Sequence, residues 1–397
     1  MRQDRSMLFL TIGHGCVDVY QGALAALVPL FVAERAYSYA AVSGFVLATS
    51  LLSSLTQPLF GFVADRYPLR WLLPVSTLVA GVGIALSGVV GDYLVTVLLV
   101  ALSGVGVAAY HPESARVARL VSRGSHRAMG WFVLGGNVGF AAAPLLVGLV
   151  AALGGLRYTP ILLVPAVVGS VLYLLAAPAA PEPGPTTSRQ VAGIDDWPAM
   201  VRLAAVVVCR SIVFVGLGTF LALHVAQRTG GGTAAGIAAL AVLYVGGAVG
   251  TVAGGRLAER WHRVDVARWA YAVAVVGVSG IVVVPGLAIY PFVIVTAIAL
   301  YVPFSLQTTL AQDYLPSRIG TASGITLGLT VSAGGLTSPL VGVLADHTSL
   351  QAALVPLVAM PALAWLLLRR LSEPTDAVGL TPGRRSMQSP GSPPGSG

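Results

Sequence analysis

Long apolar runs, broken by short polar turns that carry most of the arginines, fill nearly the whole chain. A helix rising about 1.5 Å per residue needs roughly 20 apolar residues to cross about 30 Å of hydrocarbon. Twelve runs reach that scale: residues 7–33, 39–64, 71–91, 93–120, 127–154, 159–178, 200–227, 233–258, 266–287, 289–312, 319–345 and 351–369. The third and fourth are parted only by Gly91 and Asp92. The first is too long for a signal-peptide core and holds His14 and Asp18, so it reads as a retained helix. The pattern predicts an all-α integral membrane protein of twelve transmembrane helices.

The pattern repeats. GFVADRYPLR, with Gly61, Asp65, Arg66 and Arg70, returns about 194 residues later as GRLAERWHR, with Gly255, Glu259 and Arg260. Ala128 and Gly130 return as Ala322 and Gly324, and Gly139 with Pro144 as Gly334 with Pro339. A repeat this long inside an apolar sequence implies two related six-helix halves with a central cavity between them, an architecture of transporters. The expected division is residues 1–178 for the first half, a cytoplasmic linker at 179–198, residues 199–371 for the second half, and a disordered tail at 372–397 rich in Pro, Gly and Ser.

Composition agrees, since 56% of the 397 residues are hydrophobic and 10% are charged, and the mean hydropathy is +0.84. A lipid bilayer is therefore the expected surrounding. All 23 basic residues are arginine, and they are spread over the turns, so the net charge of +8 does not mark a nucleic-acid tail. Only Arg35, Arg157 and Arg228 fall in turns on one side, and the remaining turn arginines direct their side to the cytoplasm. Both termini are thus expected in the cytoplasm. Cys16 and Cys209 lie in separate apolar runs and read as buried free thiols.

In the repeated turn signature, glycine lets two helices meet closely, while an acid beside arginines can pair across the half or sit at a helix N-terminus. Such a contact can act as a latch on the cytoplasmic side; a solvated turn with topology-setting arginines is the plainer reading. GFVADRYPLR resembles the loop motif of the major facilitator superfamily, with Pro68 where the general pattern has glycine. GHGCVDVYQGALAALVPL, LLSSLTQPLFGFVADRYPLRWLLP and above all YHPESARVARL resemble the fosmidomycin-resistance group of drug efflux proteins, while QDYLPSRIGTASG and SPLVGVLAD resemble the superfamily generally. The resemblance implies the major facilitator fold and proton-driven export of a small antibiotic, an anionic phosphonate included. The wider drug-antiporter pattern has an arginine four residues before Gly104, where this chain has Val100.

Charge placement points to the same interior independently. The third, sixth, ninth and twelfth runs carry essentially no charge in their middles, whereas the first holds His14 and Asp18, the fourth His111, Glu113 and Arg116, the seventh Arg210 and His224, and the tenth ends at Asp313. A lipid-facing charge costs about 2.5–3.5 kcal/mol at the helix centre, so the first, fourth, seventh and tenth helices must face protein or water.

His14 and Asp18, one turn apart, can load and release a proton as access alternates, or simply bond neighbouring helices. Glu113 and Arg116, with His111 beside them, form either a relay or a fixed ion pair. Arg210 can hold an anionic substrate through its forked donors, act as counter-ion to Asp18 or Glu113, or snorkel to the surface. Tyr20, Gln21, Tyr244, Tyr301, Gln307 and Thr308 are candidate cavity-lining groups.

Three functions are open: a proton-coupled exporter, an uptake symporter of the same fold, and a membrane-embedded enzyme using His14, Asp18, His111 and Glu113 as metal ligands. No HExxH-type helix supports the last, and no phosphate-cradling glycine loop with lysine and Ser/Thr supports ATP as energy source. The expectation is therefore no enzyme, no cofactor and no metal, with a small-molecule substrate and protons as partners, no nucleic acid, and a monomer in the bilayer.

Overall fold

The computed structural model describes residues 2–66, 69, 71–122, 125–176 and 194–374. Twelve α-helices follow one another: α1 Arg2–Arg35, α2 Tyr39–Arg66, α3 Leu72–Ser87, α4 Tyr93–Ser122, α5 His126–Leu153, α6 Leu163–Ala176, α7 Trp197–Thr229, α8 Gly232–Ala258, α9 Arg263–Val283, α10 Ile289–Tyr314, α11 Ile319–His347 and α12 Leu350–Leu368. Eleven spans are long and apolar enough to cross a membrane, and α3, with 16 residues, is the short one among the described elements. The fold is the twelve-helix bundle that the pattern predicts. Residues 177–193, covering most of the expected linker, and 375–397 of the expected tail lie outside the described residues.

Two elements are shorter than their apolar runs. α3 stops at Ser87 because Gly88 packs against Thr159 and gives its carbonyl to Arg35 at 2.9 Å, which ends the helical ladder. The run at 159–178 starts as a 3-10 segment, Leu156–Leu162, after Gly154 at φ 130° and Gly155 at φ 84°. Pro160, lacking an N–H, sits inside that segment. Elsewhere the ends follow ordinary capping: Asp92 accepts from Val95 N at 2.9 Å for α4, Asp196 from Ala199 N at 2.9 Å for α7, and Ser349 from Ala352 N at 3.1 Å for α12.

α1 and α7 are the most buried spans, and α2 and α11 the least. α3, α6, α9 and α12 pack within their own half, while the halves meet through α2 with α11, α5 with α8, and α1 with α7. Within each half one close crossing is made by the repeated glycine. A side chain at Gly139 of α5 would run into the carbonyl of Gly15 on α1, and one at Gly334 of α11 into the carbonyl of Ser211 on α7. Backbones this close leave room for glycine alone.

An even number of crossings puts the chain's ends on one side, here termed the terminus side. On the far side Asp346, at the end of α11, accepts from Tyr39 N and Ala40 N at the start of α2, each at 2.9 Å. Gln227 of α7 donates to Tyr39 Oη at 2.7 Å, and Gly342 packs on Tyr39 and Ser43. These contacts join the two halves at the far side.

Candidate functional site

Three helices of the first half build one polar cluster. His14 and Asp18 face the same way on α1, with Nε2 and Oδ2 3.4 Å apart, and His111 of α4 brings its Nε2 to 3.2 Å from Asp18 Oδ1. Gln21, the next turn of α1, donates to Oδ1 at 2.8 Å. Gly136 of α5 leaves space for the group, since a side chain there would strike the Asp18 carboxylate and the His14 ring. His14 stacks on Phe132 with centroids 4.2 Å apart.

The ring nitrogens have defined roles. Nδ1 of His14 lies 2.8 Å from Phe132 O, and Nδ1 of His111 lies 2.8 Å from Val107 O. A carbonyl oxygen only accepts, so each Nδ1 carries the hydrogen and each Nε2 is protonated only in the imidazolium. Both Nε2 atoms face the carboxylate, and without a proton between them lone pairs oppose lone pairs. A proton between an Nε2 and the carboxylate relieves that opposition. His14 and Asp18 are buried, while the His111 side chain keeps 28% of its surface exposed. No HExxH-type helix is present in the sequence, yet α1 and α4 together bring one ligand atom each of His14, Asp18 and His111 within 4.8 Å of one another.

Glu113 has a separate arrangement. It is fully buried, and Arg116 grips it with two parallel bonds, Nε to Oε2 at 2.7 Å and Nη2 to Oε1 at 2.5 Å. The pair matches the i, i+3 expectation, and it leaves Glu113 outside the histidine cluster.

In the second half, Arg210 of α7 is 2% exposed, which removes the snorkelling alternative. Its Nη2 donates to Thr330 of α11 at 3.1 Å, and its Nε is buried with no partner. The guanidinium lies 4.9 Å from the ring centre of Phe304 and 6.0 Å from that of Phe214. No carboxylate pairs with it among the described residues. Asp18 is engaged by the histidines and Glu113 by Arg116, so neither takes Arg210 as counter-ion.

The remaining candidates fall into two groups. Tyr20 donates to Leu162 O at 2.9 Å and Gln307 donates to Tyr271 Oη at 2.7 Å, so both turn into the interior of their own half. Tyr301 packs on Phe214 with centroids 5.5 Å apart, and Tyr244 meets Phe140 of the other half at 4.8 Å. Thr308 is half-buried on α10. His224 is held by Ile281 O at 2.9 Å in a buried, structural contact. Cys16 and Cys209 are free thiols, the first only half-buried.

Gly61 lies beside Pro112 of α4, with a built Cβ 3.8 Å from it, which is ordinary contact within one half. The side chains of Asp65, Arg66 and Arg70 lie outside the described residues. Gly255, Glu259 and Arg260 are exposed at the end of α8, and the arginine of that copy with ion-pair partners is Arg263, 2.6 Å from Asp313 and 2.6 Å from Glu373.

Asp346, Thr330, Phe132 and the pair Phe214 and Phe304 were not candidates from the sequence. A signal existed for Asp346: GVLADH, residues 342–347, repeats the glycine, three residues, acid and base of GFVADR.

The sequence profile of the Major Facilitator Superfamily matches residues 10–339. The chain belongs to this superfamily. It is 27% identical over 369 residues to the fosmidomycin resistance protein of Escherichia coli (strain K12), covering 88% of this chain and 90% of that one. To an uncharacterised MFS-type transporter, YfnC, of Bacillus subtilis (strain 168), it is 25% identical over 380 residues, with 91% of each covered. Among solved structures, a bacterial homologue of the human lysosomal transporter Spinster superposes with TM-score 0.76 at 16% identity, covering 91% of this chain and 95% of that one. The nucleoside transporter NupG superposes with TM-score 0.71 at 12% identity, covering 92% and 100%. These likenesses establish the fold of a multi-pass membrane transporter.

Proposed function

We propose that this chain is a secondary active transporter working by alternating access, a proton-coupled antiporter that exports a small drug-like or anionic, phosphonate-like compound. Its place is the bacterial cytoplasmic membrane, with both termini toward the cytoplasm. The observation that carries the reading is the cluster of buried His14 and Asp18 with half-buried His111, whose facing Nε2 and carboxylate atoms require protons between them. Arg210, buried without a carboxylate at similar depth in the other half, supports an anionic substrate. The name of the Escherichia coli relative supports the phosphonate class. In this cycle protons enter from the far side, the Asp346 contact closes over them, and they leave through His111 as substrate enters from the cytoplasm.

An uptake symporter is the second reading, and one observation favours it. A protonated cluster and Arg210 are both cationic, so an anion and protons attract each other within one cavity. Flux in inverted vesicles separates the two. With an acid interior, an antiporter accumulates labelled phosphonate inside and loses it on addition of an uncoupler. Accumulation that needs an acid exterior identifies the symporter, and flux indifferent to the gradient contradicts proton coupling altogether.

A further inference from the structure

Resting on the reading of Arg210 as the anion contact, the geometry around it points to the class of substrate. A guanidinium 2% exposed, with Nε unpartnered and no carboxylate beside it among the described residues, is costly to keep in a membrane interior unless a guest completes it. Its surroundings are aromatic. Phe304 and Phe214 flank the guanidinium. From Phe214 a row of rings continues to Tyr301 at 5.5 Å and to Phe140 of the other half at 6.5 Å. Phe140, Phe214, Tyr301 and Phe304 are each only half-buried, so their rings are not sealed into a core.

A fixed cation at one end of a row of partly open ring faces fits a ligand with two parts. We infer that the preferred substrate is an organic anion with a flat aromatic body, its oxyanion on Arg210 and its ring against Phe214 and Tyr301. A small aliphatic phosphonate reaches the arginine but leaves the rings uncovered. An aromatic cation covers the rings but meets the guanidinium with like charge. Ring-on-ring contact adds to area burial and selects between such ligands.

Calorimetric binding to the full-length protein in nanodiscs, with phenylphosphonate, methylphosphonate and phenyltrimethylammonium as probes, tests this. Phenylphosphonate is expected to bind at least about ten-fold tighter than methylphosphonate, and phenyltrimethylammonium weakest. Phe214→Ala should shrink the advantage of phenyl over methyl, while Arg210→Ala should weaken both phosphonates. Equal affinity for the two phosphonates, both lost in Arg210→Ala, overturns the aromatic preference and leaves the anion reading standing. Binding of the cation as tightly as phenylphosphonate, unchanged in Arg210→Ala, overturns the anion reading itself. Failure of both phosphonates to bind a folded wild-type protein overturns the two together.

Discussion

Arg210 stands in α7 where His14 stands in α1. Each immediately precedes the residue whose carbonyl meets the repeated glycine of a partner helix, Gly15 with Gly139 in one half and Ser211 with Gly334 in the other. An ionisable group thus stands at the corresponding crossing in both halves, in different surroundings. His14 has a carboxylate and a second imidazole beside it, whereas Arg210 has a hydroxyl and aromatic rings. Under the proposed reading, one half would hold protons and the other an anion.

If Arg210 holds the substrate's oxyanion, Arg210→Ala should weaken an anionic substrate by about 2 kcal/mol, roughly 30-fold, and spare a neutral one. Arg210→Lys should restore only part, because the planar fork is lost. Dissociation constants for an anionic and a neutral ligand check this, and an equal loss for both assigns Arg210 a structural role instead.

His111 is the exposed member of the cluster, so His111→Gln should change proton handling more than binding. Glutamine can still donate to Asp18 but carries no titrating proton. Substrate-induced proton release, followed with a pH indicator in lightly buffered detergent solution, should fall while affinity at fixed pH holds. Unchanged release places the titrating group elsewhere.

The far-side contact predicts a conformational shift. Asp346→Ala removes two bonds to the exposed N–H groups at the start of α2, worth about 1–2 kcal/mol and a roughly ten-fold change in population. Spin labels at Ala41→Cys and Thr348→Cys should report a longer far-side distance in the Asp346→Ala background. Identical distance distributions would show that other contacts hold this side shut.

Glycine sensitivity should follow the crossings and not the turn signature in this state. Gly139→Val forces a side chain into the Gly15 backbone and should cost at least about 1–3 kcal/mol, read as a lower melting temperature and lower yield. Gly61→Ala should fold normally, since its Cβ meets Pro112 at 3.8 Å, and any effect on transport then belongs to the opposite conformation.

Much of this was legible in the sequence because membrane helices announce themselves by length and apolarity. The twelve runs, the pairing of His14 with Asp18, and the Glu113 to Arg116 ion pair follow from helical spacing alone. His111 with Asp18 did not, because that contact joins α1 to α4 and depends on a crossing that periodicity does not encode. The inward turn of Tyr20 and Gln307 was hidden for the same reason: a polar side chain on an apolar helix does not declare which neighbour it bonds. Asp346 was masked by its place at a helix end, where an acid passes for a solvated cap until α2 is brought against it.

The central claim, that Asp18 and its histidines couple protons to transport, is tested most directly by Asp18→Asn in proteoliposomes. One proton crossing 100 mV gains about 2.3 kcal/mol, enough for roughly 50-fold accumulation, so a single titrating cluster is sufficient. Asp18→Asn should abolish uphill flux driven by a pH gradient yet retain exchange of labelled for unlabelled substrate, which moves no net protons. Normal gradient-driven accumulation by Asp18→Asn would contradict the account.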